Sequence, residues 1–295
     1  MTMFSAMRVC LAKAAIIGLC LLALGGCSML RVAYDQGPTL AWWWLDGYVD
    51  FSVDQTPQAK QAVQQWFAWH RRTQLPDYAG LLAAAQVDVM QPSTPQQVCR
   101  WAQRLRERVD PALQHAVLLA APLATGLTPA QLDHLQRKFR KSNQDFREDF
   151  LQSDAGERFE ASVKRASDRA EMLYGALDAD QRRLLADGIA TSPFNPQAWL
   201  DERVALQQET LRTLRRLSAQ DDPRAAEPAL RALAMRALNP PPSYSAYQQR
   251  LSDYNCRLSS RLHNSTTVAQ RAFARQRLRA WEEDLRALAS AADPR

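Results

Sequence analysis

Four times in this chain a Thr or Asp stands three residues ahead of a Gln and opens an amphipathic run: Thr94–Gln97, Thr128–Gln131, Asp178–Gln181 and Thr267–Gln270. The spacing is that of a capping box. The first side chain accepts from the backbone N–H three residues on, and the Gln reaches back to the N–H of the cap. In the first two cases Pro fills the first helical position, where a missing N–H leaves no bond unmade. Asn195-Pro196 reads as a fifth start, and Asp54 or Thr56 ahead of Pro57 as a sixth.

Behind these caps the apolar spacing alternates between three and four, as a one-faced helix requires. Leu132, Leu135, Phe139, Ser142, Phe146 and Phe150 form one stripe; Leu200, Val204, Gln207, Leu211 and Leu214 form another. Two more run from Phe159 to Leu177 and from Ala274 to Leu288. Only 10 Gly in 295 residues argue against sandwiches, barrels and nucleotide-binding sheets. The predicted fold is all-α, an elongated or irregular multi-helix bundle behind a cleaved signal peptide. Gly126, Gly156 and the run Asn239-Pro240-Pro241-Pro242 mark the expected breaks. The proline run is read as dividing a helical domain, 27–238, from a C-terminal helical pair, 243–295, packed on it. The Leu-x-x-x-Gln pattern shared by 127–134 and 177–184 is explained by capping, so no repeat array is expected.

The first residues concern address rather than fold. Arg8 and Lys13 precede an apolar run from Ala14 to Leu24, the basic and hydrophobic regions of a secretory signal. The run falls short of the about 20 residues a spanning helix needs. It ends in Leu24-Gly25-Gly26-Cys27, which resembles the lipobox of bacterial lipoproteins. That resemblance implies that 1–26 is removed and Cys27 is lipidated, including by palmitate. Ser28 after the Cys then points to the periplasmic leaflet of a Gram-negative outer membrane.

The formal charge of +6 suggests nucleic acid only at first sight. Loss of Arg8 and Lys13 with the signal brings it to +4, and the periplasm holds little DNA or RNA, so no nucleic-acid partner is expected. Residues 250–279 hold seven Arg against a single acid, Asp253, which confines the basic balance to the end of the chain. Of the five cysteines, Cys10 and Cys20 leave with the signal and Cys27 takes lipid. Cys99 and Cys256 remain, an even pair in an oxidising compartment. A disulfide is the favoured reading, two buried free thiols the other.

Three stretches together resemble an uncharacterised family of proteobacterial lipoproteins. They are Cys27–Tyr34 with Trp43–Phe51, then Trp69-His70-Arg71-Arg72-Thr73-Gln74-Leu75-Pro76-Asp77-Tyr78, then Arg165–Gln181 with Arg169, Gly175 and Leu177. The resemblance runs to about residue 185. It implies an all-helical, membrane-anchored periplasmic protein and carries over no catalytic residue.

Candidate chemistry is sparse. Asp46, Asp50 and Asp54 stand four apart, so one continuous helix would align three carboxylates, a Ca²⁺ or acid–base arrangement. The same spacing equally describes a solvated face. His70, His115, His134 and His263 form no zinc signature, and no cofactor or metal is expected. Arg271, Arg275 and Arg279 recur at i+4 and offer an anion-binding stripe for lipid phosphates or glycan carboxylates, or a solvated face. Trp42-Trp43-Trp44, with Tyr34, Tyr48 and Phe51, either meets the membrane interface or plugs the bundle end. At least two of the three are expected in the core, with Trp66 and Trp69 as partners. The expected function is a non-enzymatic scaffold, accessory or chaperone-like envelope factor with a protein partner. The alternatives are an envelope hydrolase or transferase acting through Asp46 and Asp50, and a lipid- or glycan-binding module.

Overall fold

The computed structural model describes residues 29–220 and 222–291. The signal segment and Cys27 lie outside the described residues. Helices follow one another without interruption by strand among the described residues: α1 Met29–Asp35, α2 Gly37–Val49, α3 Thr56–Asp88, α4 Pro95–Glu107, α5 Val109–Ala124, α6 Pro129–Phe150, α7 Ala155–Tyr174, α8 Ala179–Ala190, α9 Pro196–Gln220, α10 Pro223–Leu238, α11 Pro242–Ser265 and α12 Val268–Ser290. The fold is an all-α multi-helix assembly.

All four capping boxes form, with both reciprocal bonds in each, and open α4, α6, α8 and α12. Asn195 caps α9 through Oδ1, which accepts from Ala198 N at 3.1 Å. The sixth start needs correcting. Neither Asp54 nor Thr56 caps α3, whose N-cap is Gln55 with no side-chain bond to the helix; the turn before it is closed by Ser52 Oγ accepting from Gln55 N at 3.3 Å and Gln55 Oε1 accepting from Ser52 N at 3.0 Å. Gly156 is no break either. It sits in the first turn of α7, which Asp154 caps.

The capping glutamines do more than cap. Gln181 and Gln270 exchange amide hydrogen bonds in both directions at 2.8 Å, locking the start of α8 to the start of α12. Gln131 Nε2 donates to Gln55 Oε1 at 2.7 Å and to Asp50 O at 2.8 Å, which joins α6 to the start of α3. Burying each amide with a partner avoids the cost of leaving it unpaired.

Among the described residues, buried apolar side chains gather in three clusters. The largest draws Ala121, Ala124 and Leu127 from α5 and its end, Leu132 and Leu135 from α6, Leu211, Leu214 and Leu217 from α9, and Ala226 from α10. A second centres on Val89, Ala274 and Leu278, where α12 runs along the end of α3. A third joins Leu177, Leu185 and Leu262. The two helices behind the proline run therefore seat on different neighbours: α11 on α4 and α8, α12 on α3, α7 and α1. A disulfide between Cys99 and Cys256 ties α4 to α11.

Candidate functional site

α1 and α2 meet at Gln36 and carry the aromatic run. Gly37 starts α2 against α3 so closely that a Cβ there would stand 2.5 Å from the Phe67 ring. α2 is apolar around most of its circumference, yet none of its residues is fully buried. Such a composition belongs to a helix covered on all sides.

One side of α2 faces the protein. Ala41, Leu45 and Val49, at successive i+4 positions, form a wall of a cleft of about 480 Å³. α3 supplies Ala59, Val63 and Trp66, α5 supplies Leu119 and Leu123, and Thr210, Leu214 and Leu230 of α9 and α10 close the far side. The other side of α2 faces outward. Trp43 is 65% and Trp44 61% exposed, with Leu40 at 52%, and the stripe continues onto α1 through Met29 and Val32. The expectation that at least two of the three tryptophans enter the core is overturned. Consecutive helical positions point about 100° apart, and α2 meets neighbours only where it faces α3 and, at its end, α6, which leaves Trp43 and Trp44 outward. Trp42 alone is half-buried, its ring 5.7 Å from Phe51 with Lys60 Nζ 5.0 Å above it.

Trp66, besides lining the cleft, packs with Trp69 among the histidines. His70 stacks on Trp66 at 4.6 Å, and its Nδ1 lies 2.8 Å from the Tyr34 hydroxyl. Burial pushes His70 down to about 4 and Tyr34 up to about 12, so both are neutral at pH 7. His115 stacks on Trp69 at 4.2 Å and is likewise lowered by burial. His263 repeats the Tyr–His theme: its Nε2 donates to Gln91 O at 2.7 Å, so its Nδ1 accepts from the Tyr174 hydroxyl at 2.9 Å. The tautomer is dictated by the carbonyl, which can only accept. His134 Nε2 lies 3.1 Å from Gly47 O.

The aligned acids do not align. Asp50 ends α2 in the left-handed conformation, φ 59° and ψ 62°, a conformation Asp tolerates better than most residues, and this turns the chain away before Asp54. Asp46 Oδ1 accepts from Phe51 N at 3.2 Å, and Asp46 O accepts from Asp50 N at 2.7 Å, so both groups terminate a helix. The arginine stripe is also dispersed. Arg271 donates to Thr266 Oγ1 at 3.1 Å and to His263 O at 3.3 Å, closing the end of α11. Arg279 pairs with Glu283 at 2.9 Å, and Arg275 is exposed. Among the described residues no three His, Cys, Asp or Glu side chains converge as metal ligands. No described helix is long and apolar enough to cross a membrane.

A family model, that of DUF6279, a family of unknown function, matches residues 47–239. The chain belongs to this family. No curated protein and no solved structure matches it. The DUF6279 segment begins in the last turn of α2 and ends just after α10. It reaches well past residue 185, where the resemblance was expected to stop, and it omits 27–46, part of what carried that resemblance. Most of the cleft therefore lies within the DUF6279 segment, whereas Ala41 and Leu45 and the outward stripe of α1 and α2 largely precede it.

Proposed function

We propose that this chain is a non-enzymatic accessory factor of the outer membrane's periplasmic face, held there by lipid on Cys27 and by the outer side of α1 and α2. The observation that carries this reading is the exposed stripe Met29, Val32, Leu40, Trp43 and Trp44. It starts two residues after Cys27, at the point where the chain would leave the bilayer. Tryptophans are at home at the headgroup level, and a short apolar helix face adds to an acyl anchor. The Asp46 carboxylate accepts from Phe51 N and the Asp50 backbone ends α2, which favours a structural role for both residues over acid–base chemistry. With α1 and α2 on the membrane, the faces of the remaining helices are available to hold a partner protein by helix-on-helix contact.

Labelled palmitate, fed to cells making the full-length precursor, is expected to enter the wild type and not Cys27→Ala; flotation uses the mature chain, residues 27–295. The Cys27→Ala chain should still float with vesicles of phosphatidylethanolamine and phosphatidylglycerol, and Trp43→Ser with Trp44→Ser should abolish flotation. Palmitate persisting in Cys27→Ala, or flotation indifferent to both tryptophans, overturns the reading. Crosslinking in intact cells then identifies the partner.

A further inference from the structure

We propose that the cleft behind α2 binds one long-chain fatty acid, taken from the membrane on which α2 lies. The route of delivery rests on the membrane reading above; the binding itself does not.

The lining admits little else. Of its side chains only Thr210 and Trp66 carry polar atoms, and both are already satisfied: Thr210 Oγ1 donates to Leu206 O at 2.8 Å, and Trp66 Nε1 to Ala112 O at 3.0 Å. A polar ligand body would be buried there without hydrogen bonds, at a cost of several kcal/mol per group, and water would fare no better. Hydrocarbon meets neither penalty. At about 480 Å³ the cleft falls within the range of roughly 300–1,000 Å³ typical of small-molecule sites.

A cation at the α2–α3 seam can serve the carboxylate of a fatty acid. Lys60 follows Ala59 of the lining, and its Nζ sits over Trp42, which follows Ala41 of the facing wall. Neither Lys60 nor Trp42 is itself part of the lining, so the carboxylate would reach the ammonium outside the apolar cleft. No carboxylate pairs with the ammonium among the described residues. α2 is then apolar on both sides for two reasons: its outer side meets the bilayer and its inner side meets the acyl chain. A fatty acid passing from one to the other crosses the edge of one helix and no water layer.

The experiment uses the mature chain, residues 27–295, carrying Cys27→Ala, without detergent or vesicles. The probe is dibrominated stearate below its solubility limit, which quenches tryptophan on contact. Saturable quenching is expected, and Trp66→Phe should remove most of the quenched fraction while Trp43→Phe and Trp44→Phe leave it. Ala62→Phe with Ala116→Phe narrows the lining and should weaken binding by at least about tenfold, with unfolding temperature unchanged or raised. Should that pair fail to fold, Lys60→Ala decides: it should weaken stearate binding and leave the corresponding fatty alcohol unaffected. Absence of saturable quenching, quenching indifferent to Trp66, or equal stearate affinity in Lys60→Ala overturns the proposal. So does native mass spectrometry showing diacyl phospholipid in place of fatty acid. Failure of flotation together with intact stearate binding would sink the membrane reading alone.

Discussion

Arg31 Nε lies 2.7 Å from Asp284 Oδ1, which joins the first described helix to the last across 253 positions. Asp284 is 4% exposed, whereas the Arg31 side chain is about one-third exposed. The pair is therefore unequal: losing Arg31 strands a buried carboxylate, and losing the carboxylate only returns a guanidinium to water. Arg31→Ala is expected to destabilise by about 2–3 kcal/mol. Asp284→Asn should cost less, since the amide is neutral and keeps the shape. Urea unfolding of the two variants checks the order, and equal losses would show that the pair is not what holds α1 on α12.

The four capping boxes look alike in sequence but differ in surroundings. Gln181 is 1% exposed and bonded to Ser265 O and to Gln270, besides its own cap. Gln97 is exposed and serves only Thr94. Gln97→Ala is expected to cost about 1 kcal/mol, as for a surface cap. Gln181→Ala removes four bonds, two of them shared with the Gln270 amide, so about 3 kcal/mol is expected. Thermal unfolding of both variants, measured side by side, would reveal whether pairing between caps adds stability beyond capping.

These boxes also show what a sequence can display. A cap and its Gln stand three residues apart, so the whole interaction is written within one helical turn and all four were legible. The bonds by which Gln131, Gln181 and Gln270 reach other elements join residues 76 or 89 positions apart and leave no local trace. The same division explains the aromatic run. Trp42, Trp43 and Trp44 must point in different directions, but which of them meets a neighbour depends on where α3 and α6 lie. Asp46, Asp50 and Asp54 would align only if α2 continued, and the left-handed turn at Asp50 is a tertiary accommodation that also presents its carbonyl to Gln131. The cleft was invisible for a related reason. It is built from alanines and leucines of five helices, residue types that signal core wherever they occur.

Cys99 and Cys256 close a loop of 157 positions between α4 and α11. In the chain-entropy view such a crosslink stabilises by about 5 kcal/mol, chiefly by restricting the unfolded chain. Cys99→Ala with Cys256→Ala should therefore lower the unfolding temperature by about ten degrees or more. Without reductant, the denatured mature chain should offer no thiol to alkylation except a Cys27 left without lipid. Labelling of either Cys99 or Cys256 under those conditions would contradict the bond.

Stability should fall as the solution becomes mildly acidic, before the carboxylates titrate. Buried His70 titrates at about 4 in the folded protein, and burial lowers His263 too, whereas an unfolded histidine titrates near 6.5. Both folded values lie below the unfolded one. As pH drops through about 6.5 the unfolded chain takes up protons that the folded chain refuses. Stability present above that value is then lost, at up to about 1.4 kcal/mol per pH unit for each histidine. For His70 the loss continues until about pH 4. His70→Gln and His263→Gln should each be less stable than wild type at pH 7, because the bonds to Tyr34 and to Tyr174 and Gln91 are disturbed. Each should nevertheless lose less on going from pH 7 to pH 5. Urea midpoints at the two pH values measure this directly, and a decline as steep in both variants as in the wild type would place the sensitivity on other groups.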